Sequence, residues 1–372
     1  MRGATIALMI IVNDPGDWQE VYPPLRHAEW SGYTVADLVF PNFLFLAGAS
    51  LVFSLQSRVQ RGESKLDLAR GLGRRSLNLL LLHLFVEGLP TFHMRRIRIF
   101  GVLFRTALCS LAGGLILLVT LSTSALLAIV SILFGGYYLL LRFPFAGLNR
   151  PLLDPDNNVA AWLDRKVAHL FNRQLHTGAL YNVTHDPEGL LSSLPALGTV
   201  LLGCCAALTM RSGGQSPARK AGSLALSGAV SLAMGHVWDK DFPINKNLWT
   251  SSYALAAAGW SLLSLSALYW LYDVKQIQRR SRVVRAATLP ANIFGANALV
   301  AYAVSIAGHT LARSIHVQNQ GHSISLRTYG YRRIFARCRS TPLRSLAFAA
   351  AYAALCFMPN LFLWRRKIFV KI

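Results

Sequence analysis

His27, Glu29 and Trp30 stand together just ahead of Thr34 and Asp37. Imidazole is the side chain whose ordinary titration range lets it take a proton near neutral pH, and it can also carry an acyl group as a nucleophile. Thr34-x-x-Asp37 has the spacing of a helix start. Thr34 can cap free backbone N–H groups while Asp37 answers from the first turn and suits the positive end of the helix dipole. The sequence then runs apolar to Leu55. Polar chemistry therefore sits at the end of a membrane-length helix, and His27 is expected near a fixed helix end with Asp37 as cap and support.

The elements that must position these residues are membrane spans. Of 372 residues, 53% are hydrophobic and only 15% charged, more apolar than an ordinary soluble domain. The formal charge of +22 falls mainly in short segments between apolar runs, the pattern of the positive-inside bias rather than of a nucleic-acid surface. The five cysteines, Cys109, Cys204, Cys205, Cys338 and Cys356, lie mostly in apolar runs with no metal-ligand spacing. They read as core-filling thiols, and no metal is expected. No cleavable signal pattern precedes the first apolar run.

The expected fold is all-α, a polytopic transmembrane helical bundle of about ten spans, forming one domain over residues 1–372. Counting stretches free of Asp, Glu, Lys and Arg, with roughly 20 residues per crossing, places the spans. Gly3 to Asn13 is the first and is short; Asp14-Pro15-Gly16-Asp17 ends it. Val35 to Ser57 is the second, followed by a basic loop holding Arg58, Arg61, Lys65, Arg70, Arg74 and Arg75. The third is Leu77 to Leu89, and the fourth begins near Ile99 and carries Arg105. Thr106 to Leu141 has no charge and needs two spans, with Ser122-Thr123-Ser124 as the turn. Arg142 to Glu188 is a hydrophilic loop with one amphipathic helix, Val159 to Leu175. The sixth to tenth spans are Gly189 to Met210, Ala221 to Trp238, Leu248 to Tyr272, Ala286 to about Gly308, and Ser345 to Trp364.

Placing both termini in the cytoplasm puts Arg58 to Arg75, Arg211 to Lys220, Lys275 to Arg285 and the basic tail inside, as the rule requires. The external loops are then about 14–34, 142–188, 239–247 and 309–344. The last disagrees with the rule, since it holds Arg313, Arg327, Arg332, Arg333, Arg337, Arg339 and Arg344.

These residues resemble the heparan-α-glucosaminide N-acetyltransferase family. The most specific segment is His27-x-x-Trp30-x-Gly32-x-Thr34-Val-Ala-Asp37-Leu-Val-Phe-Pro41. In the same order follow Arg98-Ile-Phe-Gly101-Val-Leu-x-Arg105, Asp186-Pro187-Glu188-Gly189-Leu190-Leu191, Lys246-x-Leu248-Trp249-Thr250-Ser251-Ser252-Tyr253 and Arg366-Lys367-Ile368-Phe369. The resemblance implies a membrane enzyme carrying acetyl groups from cytosolic acetyl-CoA to an amino sugar across the membrane. It implies that His27 is the active-site residue and that Asn13 lies close by. Family members usually open on Ser-Leu-Asp-x-x-Arg-Gly, and this chain begins at the Arg2-Gly3 end of that motif. A late-assigned start is expected, as is a bacterial-type member without the animal luminal domain, placed in an inner membrane.

Under that resemblance His27 acts as general base or transient acyl carrier, against the plainer role of an interfacial loop histidine. Asn13 donates to the oxyanion or orients His27, or else caps its helix end. Trp30 walls the sugar, although tryptophan also favours membrane interfaces. Arg105, ionised inside a span, is expected to pair with Glu87, Asp37 or a CoA phosphate, or to mark a water-filled path. Lys246 and Trp249, with Asn245, read the acceptor. Arg58, Arg61, Arg74 and Arg75, with Arg279 and Arg280, face the CoA phosphates, where the positive-inside bias alone would also put them. No Walker or Rossmann glycine loop is present. Asn182-Val183-Thr184 matches a glycosylation sequon. His93, His169, His176, His185, His309, His316 and His322 are taken as surface residues. The partners expected are the acyl-CoA donor, an extracytoplasmic glycan, the bilayer and, as a candidate homodimer, a second copy. A permease is the alternative function.

Overall fold

The computed structural model describes residues 1–143, 153–182, 184–319, 321–335 and 341–370. Cys338, Arg337, Arg339, Lys371 and the central Val183 of the sequon lie outside the described residues. The chain is mostly helical, at 73%.

Helix α1 (Arg2–Asn13) leads through an irregular stretch to a 3-10 turn (Ala36–Leu38) and α2 (Val39–Gln60). Then come α3 (Lys65–Gly88), α4 (Val102–Val119), α5 (Thr123–Arg142), α6 (Val159–Leu175), α7 (Ser193–Arg211), α8 (Pro217–Trp238) and α9 (Ser251–Tyr269), the last ending in a π turn (Trp270–Val274). The short α10 (Ile277–Arg280) precedes α11 (Arg282–Ala296) and α12 (Ala298–Ser314). Strands β1 (His316–Asn319) and β2 (His322–Ser325) form an antiparallel hairpin, and α13 (Leu326–Ile334) and α14 (Thr341–Arg365) close the chain.

Among the described residues six helices are long and apolar enough to cross a membrane, and the α11–α12 pair makes a seventh if counted as one span. The protein is an integral membrane protein. Several expected boundaries are corrected. The hairpin departs from an all-α fold. Helix α3 begins at Lys65 rather than Leu77, because Ser64 and Asp67 form a cap: the Asp67 N–H donates to Ser64 Oγ at 3.1 Å, and that hydroxyl donates to Asp67 Oδ2 at 2.6 Å. Arg70, Arg74 and Arg75 are therefore helical. The ninth span is bent by 80° at Asn297, seven residues after Pro290. Buried Asn297 bridges that break to the C-terminal segment, donating to Ile368 O at 3.0 Å and accepting from the Val370 N–H at 2.8 Å.

The main core joins α2, α4, α5, α7 and α9, including Leu44, Val52, Val200, Cys204 and Trp249. Helices α2 and α7 cross closely. A Cβ on Gly48 would meet Val200 O at 1.9 Å, and one on Gly203 would meet Phe45 O at 1.9 Å. Close approach between spans is gained by small residues in this way. A second core joins α1, α12 and α14 through Ile6, Ile10, Ala301 and Ala353. Cys109, Cys204, Cys205 and Cys356 are free and buried, as core-filling thiols should be.

Bonds between loops show which helix ends share a face. Gly32 N–H donates to Ile244 O at 2.7 Å, Trp30 Nε1 to Leu153 O at 2.9 Å, Asp17 N–H to Ser345 Oγ at 3.0 Å, and Thr177 Oγ1 to Ile97 O at 3.0 Å. The described residues of 14–34, 97–101, 153–182, 184–192, 239–250, 321–335 and 341–345 thus share the end of the bundle that carries His27.

Candidate active site

Asp37 sits in the 3-10 turn ahead of α2 and is only 1% exposed. Its carboxylate is fully engaged. Oδ1 accepts from His27 Nδ1 at 2.7 Å and from Lys246 Nζ at 3.1 Å; Oδ2 accepts from the N–H groups of Ala28 and Thr34, each at 3.0 Å, and from Thr34 Oγ1 at 3.2 Å. The expected capping box is therefore half formed. Asp37 reaches back to the Thr34 N–H, but the Thr34 hydroxyl donates to Arg26 O at 2.7 Å instead of capping the helix.

This arrangement dictates the imidazole's working atom. A carboxylate on Nδ1 holds the tautomer whose proton is on that nitrogen, so the Nε2 lone pair is left for chemistry. His27 is one-third exposed, enough for a substrate to reach it. Lys246 Nζ lies 3.1 Å from Nδ1 and balances the buried carboxylate. The site is then an Asp–His pair with a lysine locked on the shared oxygen.

The supports come from below. Tyr253 OH donates to the Asp37 carbonyl at 2.6 Å, and the Asn245 side chain accepts from the Leu248 N–H at 2.8 Å. Trp249 is buried, not on the outer surface, which corrects its expected place as a reader of the acceptor. It packs edge-on against Phe40 and Tyr253, and Nε1 donates to Thr199 Oγ1 at 3.3 Å. Its backbone has φ +49°, in the left-handed region that ordinary side chains avoid. Asn245 is likewise wholly buried. Arg105 lies fully enclosed with its guanidinium 4.9 Å from the Trp249 ring. It bonds Gly189 O and the Ser192 hydroxyl and pairs with neither Glu87 nor Asp37, also a correction. The loop ahead of α7, up to its N-cap Ser192, supplies these oxygens instead of a carboxylate.

Beside the site, Trp30 meets His185 edge-on at 5.4 Å. Arg98 clamps Asp186 and Glu188, with Nε donating to Asp186 Oδ2 at 2.7 Å. On α6, Asp164 is 1% exposed and accepts from the Leu190 N–H at 2.9 Å. Burial pushes its carboxyl up to about 7.

Asn13 is exposed at the end of α1 and makes no side-chain hydrogen bond among the described residues, to His27 or otherwise. Its neighbour Asp14 is buried and pairs with His309 Nδ1. His309 and buried His185 are therefore not the surface residues expected of them. The remaining five of that group are exposed. The arginines expected at CoA are at the far end of the bundle. Val39 to Arg58 spans 19 residues of α2, about 28 Å at 1.5 Å per residue. Arg58 bonds Glu63 through Nη2 at 2.6 Å, Arg61 reaches Glu63 at 3.5 Å, Arg74 is exposed, and Arg75 keeps a buried Nε without a partner. Among the described residues no group of three metal-ligating side chains occurs.

Sequence reasoning missed the Asp14–His309 pair, the Arg98 clamp and the link from Lys246 to His27. The first left no signal, its members being 295 positions apart. The other two were visible only as charged residues inside the segments that carry the family resemblance, and their partners are set by folding.

The family profile for "Heparan-alpha-glucosaminide N-acetyltransferase, catalytic" matches residues 1–235. The human protein named heparan-alpha-glucosaminide N-acetyltransferase is 28% identical over 325 residues, covering 74% of this chain and 48% of its own length. The mouse protein of that name is 29% identical over 322 residues, with the same two shares. The chain spans about half the length of the curated relatives it matches. With His27 and Asp37 inside a match that covers more than half of its length, the chain belongs to the heparan-alpha-glucosaminide N-acetyltransferase catalytic family.

Proposed function

We propose that this chain is a transmembrane acetyltransferase that moves an acetyl group from cytosolic acetyl-CoA to an amino sugar or glycan on the other side of the membrane. The observation that carries the reading is the Asp37 carboxylate locked on His27 Nδ1 with Lys246 beside it, at a helix end open to substrate. In direct transfer, Nε2 takes a proton from the acceptor amine as its nitrogen attacks the acetyl carbonyl carbon. The carbon–sulfur bond breaks and CoA leaves as the thiolate, to be protonated. In the alternative order the acetyl group first joins Nε2 and then passes to the amine. Trp30, partly exposed beside His185, serves as the sugar wall.

On this reading the chain is one domain of ten spans with both termini cytoplasmic, in a bacterial inner membrane. The four CoA-facing arginines and His27 then lie at opposite ends of the bundle, so the acetyl group crosses most of the bilayer depth. Arg105 bears on the permease alternative: it is enclosed by protein and stacked on Trp249, a structural setting rather than the wall of a solute path. Purified protein given radiolabelled acetyl-CoA and glucosamine is expected to release labelled N-acetylglucosamine. Movement of a solute into liposomes without acetyl-CoA, and no transfer, would overturn the reading.

A further inference from the structure

Helices α5 and α8 flank a cavity of about 540 Å³ whose floor is α7 and α9. Its walls are apolar and small-polar, including Leu127, Phe134, Gly135, Leu224, Met234 and Trp238. The length is that of a lipid chain. From Thr123 to Gly135 on one wall is about 18 Å, and from Leu224 to Trp238 on the other about 21 Å, at 1.5 Å per residue. The lining of both walls is mostly apolar over this length, and α5 is one of the helices apolar enough to cross a membrane. Hydrocarbon is the occupant such a lining accepts.

The slot's upper end leads to the catalytic loop. A second open cavity continues it past Val237 and Trp238 to Asp241. There Tyr138 OH bonds the Asp241 carboxylate, with Arg142 at 3.9 Å. Phe242 packs on Tyr137, Tyr138 and Trp238 beside this end of the slot. Asp241 is only five residues from Lys246, at most about 17 Å of chain, and Lys246 touches His27. A chain lying in the slot would carry its polar head into the zone between Asp241 and His27.

We propose that the α5–α8 slot holds the hydrocarbon chain of the acceptor, and that the acceptor class is a lipid-linked amino sugar presented from the outer leaflet. This deepens the proposed function and rests on it.

Gly135 allows a test. A Cβ added there meets nothing within 4 Å, so Gly135→Leu fills the slot without displacing backbone; Gly136, also unobstructed, does not line it and serves as control. Two readouts apply to wild type, Gly135→Leu and Gly136→Leu in nanodiscs. The first is photocrosslinking by glucosamine linked through a phosphodiester to a diazirine-bearing prenyl chain, followed by peptide mapping. The second is acetyl transfer from labelled acetyl-CoA to that lipid and to free glucosamine. Expected are crosslinks on α5 and α8, lost at least tenfold in Gly135→Leu alone, with transfer to the lipid falling in parallel and transfer to free glucosamine within twofold of wild type. Equal crosslinking by a diazirine phospholipid, uncompeted by the glucosamine lipid, would make the slot a site for bulk lipid and overturn the proposal. So would crosslinks elsewhere, or unchanged lipid acetylation in Gly135→Leu. Slot-specific crosslinking without transfer to either acceptor would instead overturn the acetyltransferase reading while the lipid site stood.

Discussion

Replacing Asp37 by Asn probes the site's logic with almost no change in volume. The carboxylate accepts five hydrogen bonds, and an amide has one oxygen for them. If that oxygen stays toward the Ala28 and Thr34 N–H groups, the amide NH₂ faces His27 Nδ1 and Lys246. It then donates to Nδ1, the ring proton moves to Nε2, and the atom that must act as base or nucleophile is lost. If the amide flips, NH₂ meets two backbone N–H groups, and the loop that carries His27 loses its hold. The loop bonds outnumber the others on Oδ2, so the first orientation wins. The corresponding change in a Ser–His–Asp triad lowers kcat by about 10⁴, or about 5 kcal/mol of barrier. Stability should also drop by about 3 kcal/mol, since Lys246, largely buried, loses its counter-charge. The assay is single-turnover transfer from radiolabelled acetyl-CoA to glucosamine in detergent, with gel filtration and thermal unfolding to show that the variant is folded. Folded Asp37→Asn with kcat within tenfold of wild type would refute the tautomer argument.

Further outcomes follow from neighbouring geometry. Lys246→Met should lower the unfolding temperature, by the equivalent of about 1–3 kcal/mol, because a carboxylate 1% exposed loses its lysine counter-charge; an unchanged melting curve would contradict the pairing. Gly203→Ala should cost about 3 kcal/mol and much of the folded yield, since its methyl would sit 1.9 Å from Phe45 O, as thermal unfolding in detergent would show. Asp164 gives a pH signature. Its folded pKa of about 7 lies above the ordinary value of 3.8, so the native state binds the extra proton between those limits. Its contribution is full below about pH 4 and falls as pH rises toward 7, by up to about 4 kcal/mol. Asp164→Asn should therefore melt like wild type near pH 4 and at higher temperature than wild type at pH 8; parallel curves at both pH values would contradict the shift.

Sequence patterning reveals what is local. The His27 and Asp37 relation spans ten positions, and the long apolar runs appear as helices close to their expected limits, with α6 at the limits expected of it. Long-range pairing has no such trace. Lys246 and Trp249 read as outer-face contacts for the acceptor until folding brings the first across 219 positions to His27 and buries the second with Arg105 over its ring. The start of α3 was hidden for a different reason. Charge density in its first turns suggested a loop, yet the Ser64 and Asp67 cap outweighs it, and Arg70 and Arg74 stay exposed on the helix. The 80° bend falls at Asn297, whose side chain bonds the C-terminal segment, and hydropathy alone treats that stretch as one run.

The central claim is that His27 does the chemistry, and acetyl transfer by His27→Ala tests it most directly. Wild type and variant, purified and equally stable, are given labelled acetyl-CoA with and without glucosamine. The account predicts labelled N-acetylglucosamine from wild type alone, with at least a 10³-fold loss in the variant, as removal of a combined base and acyl carrier entails. Label retained on wild-type protein without acceptor would mark the acyl-histidine route, and its absence the direct one. Transfer by His27→Ala at a rate near wild type would contradict the account.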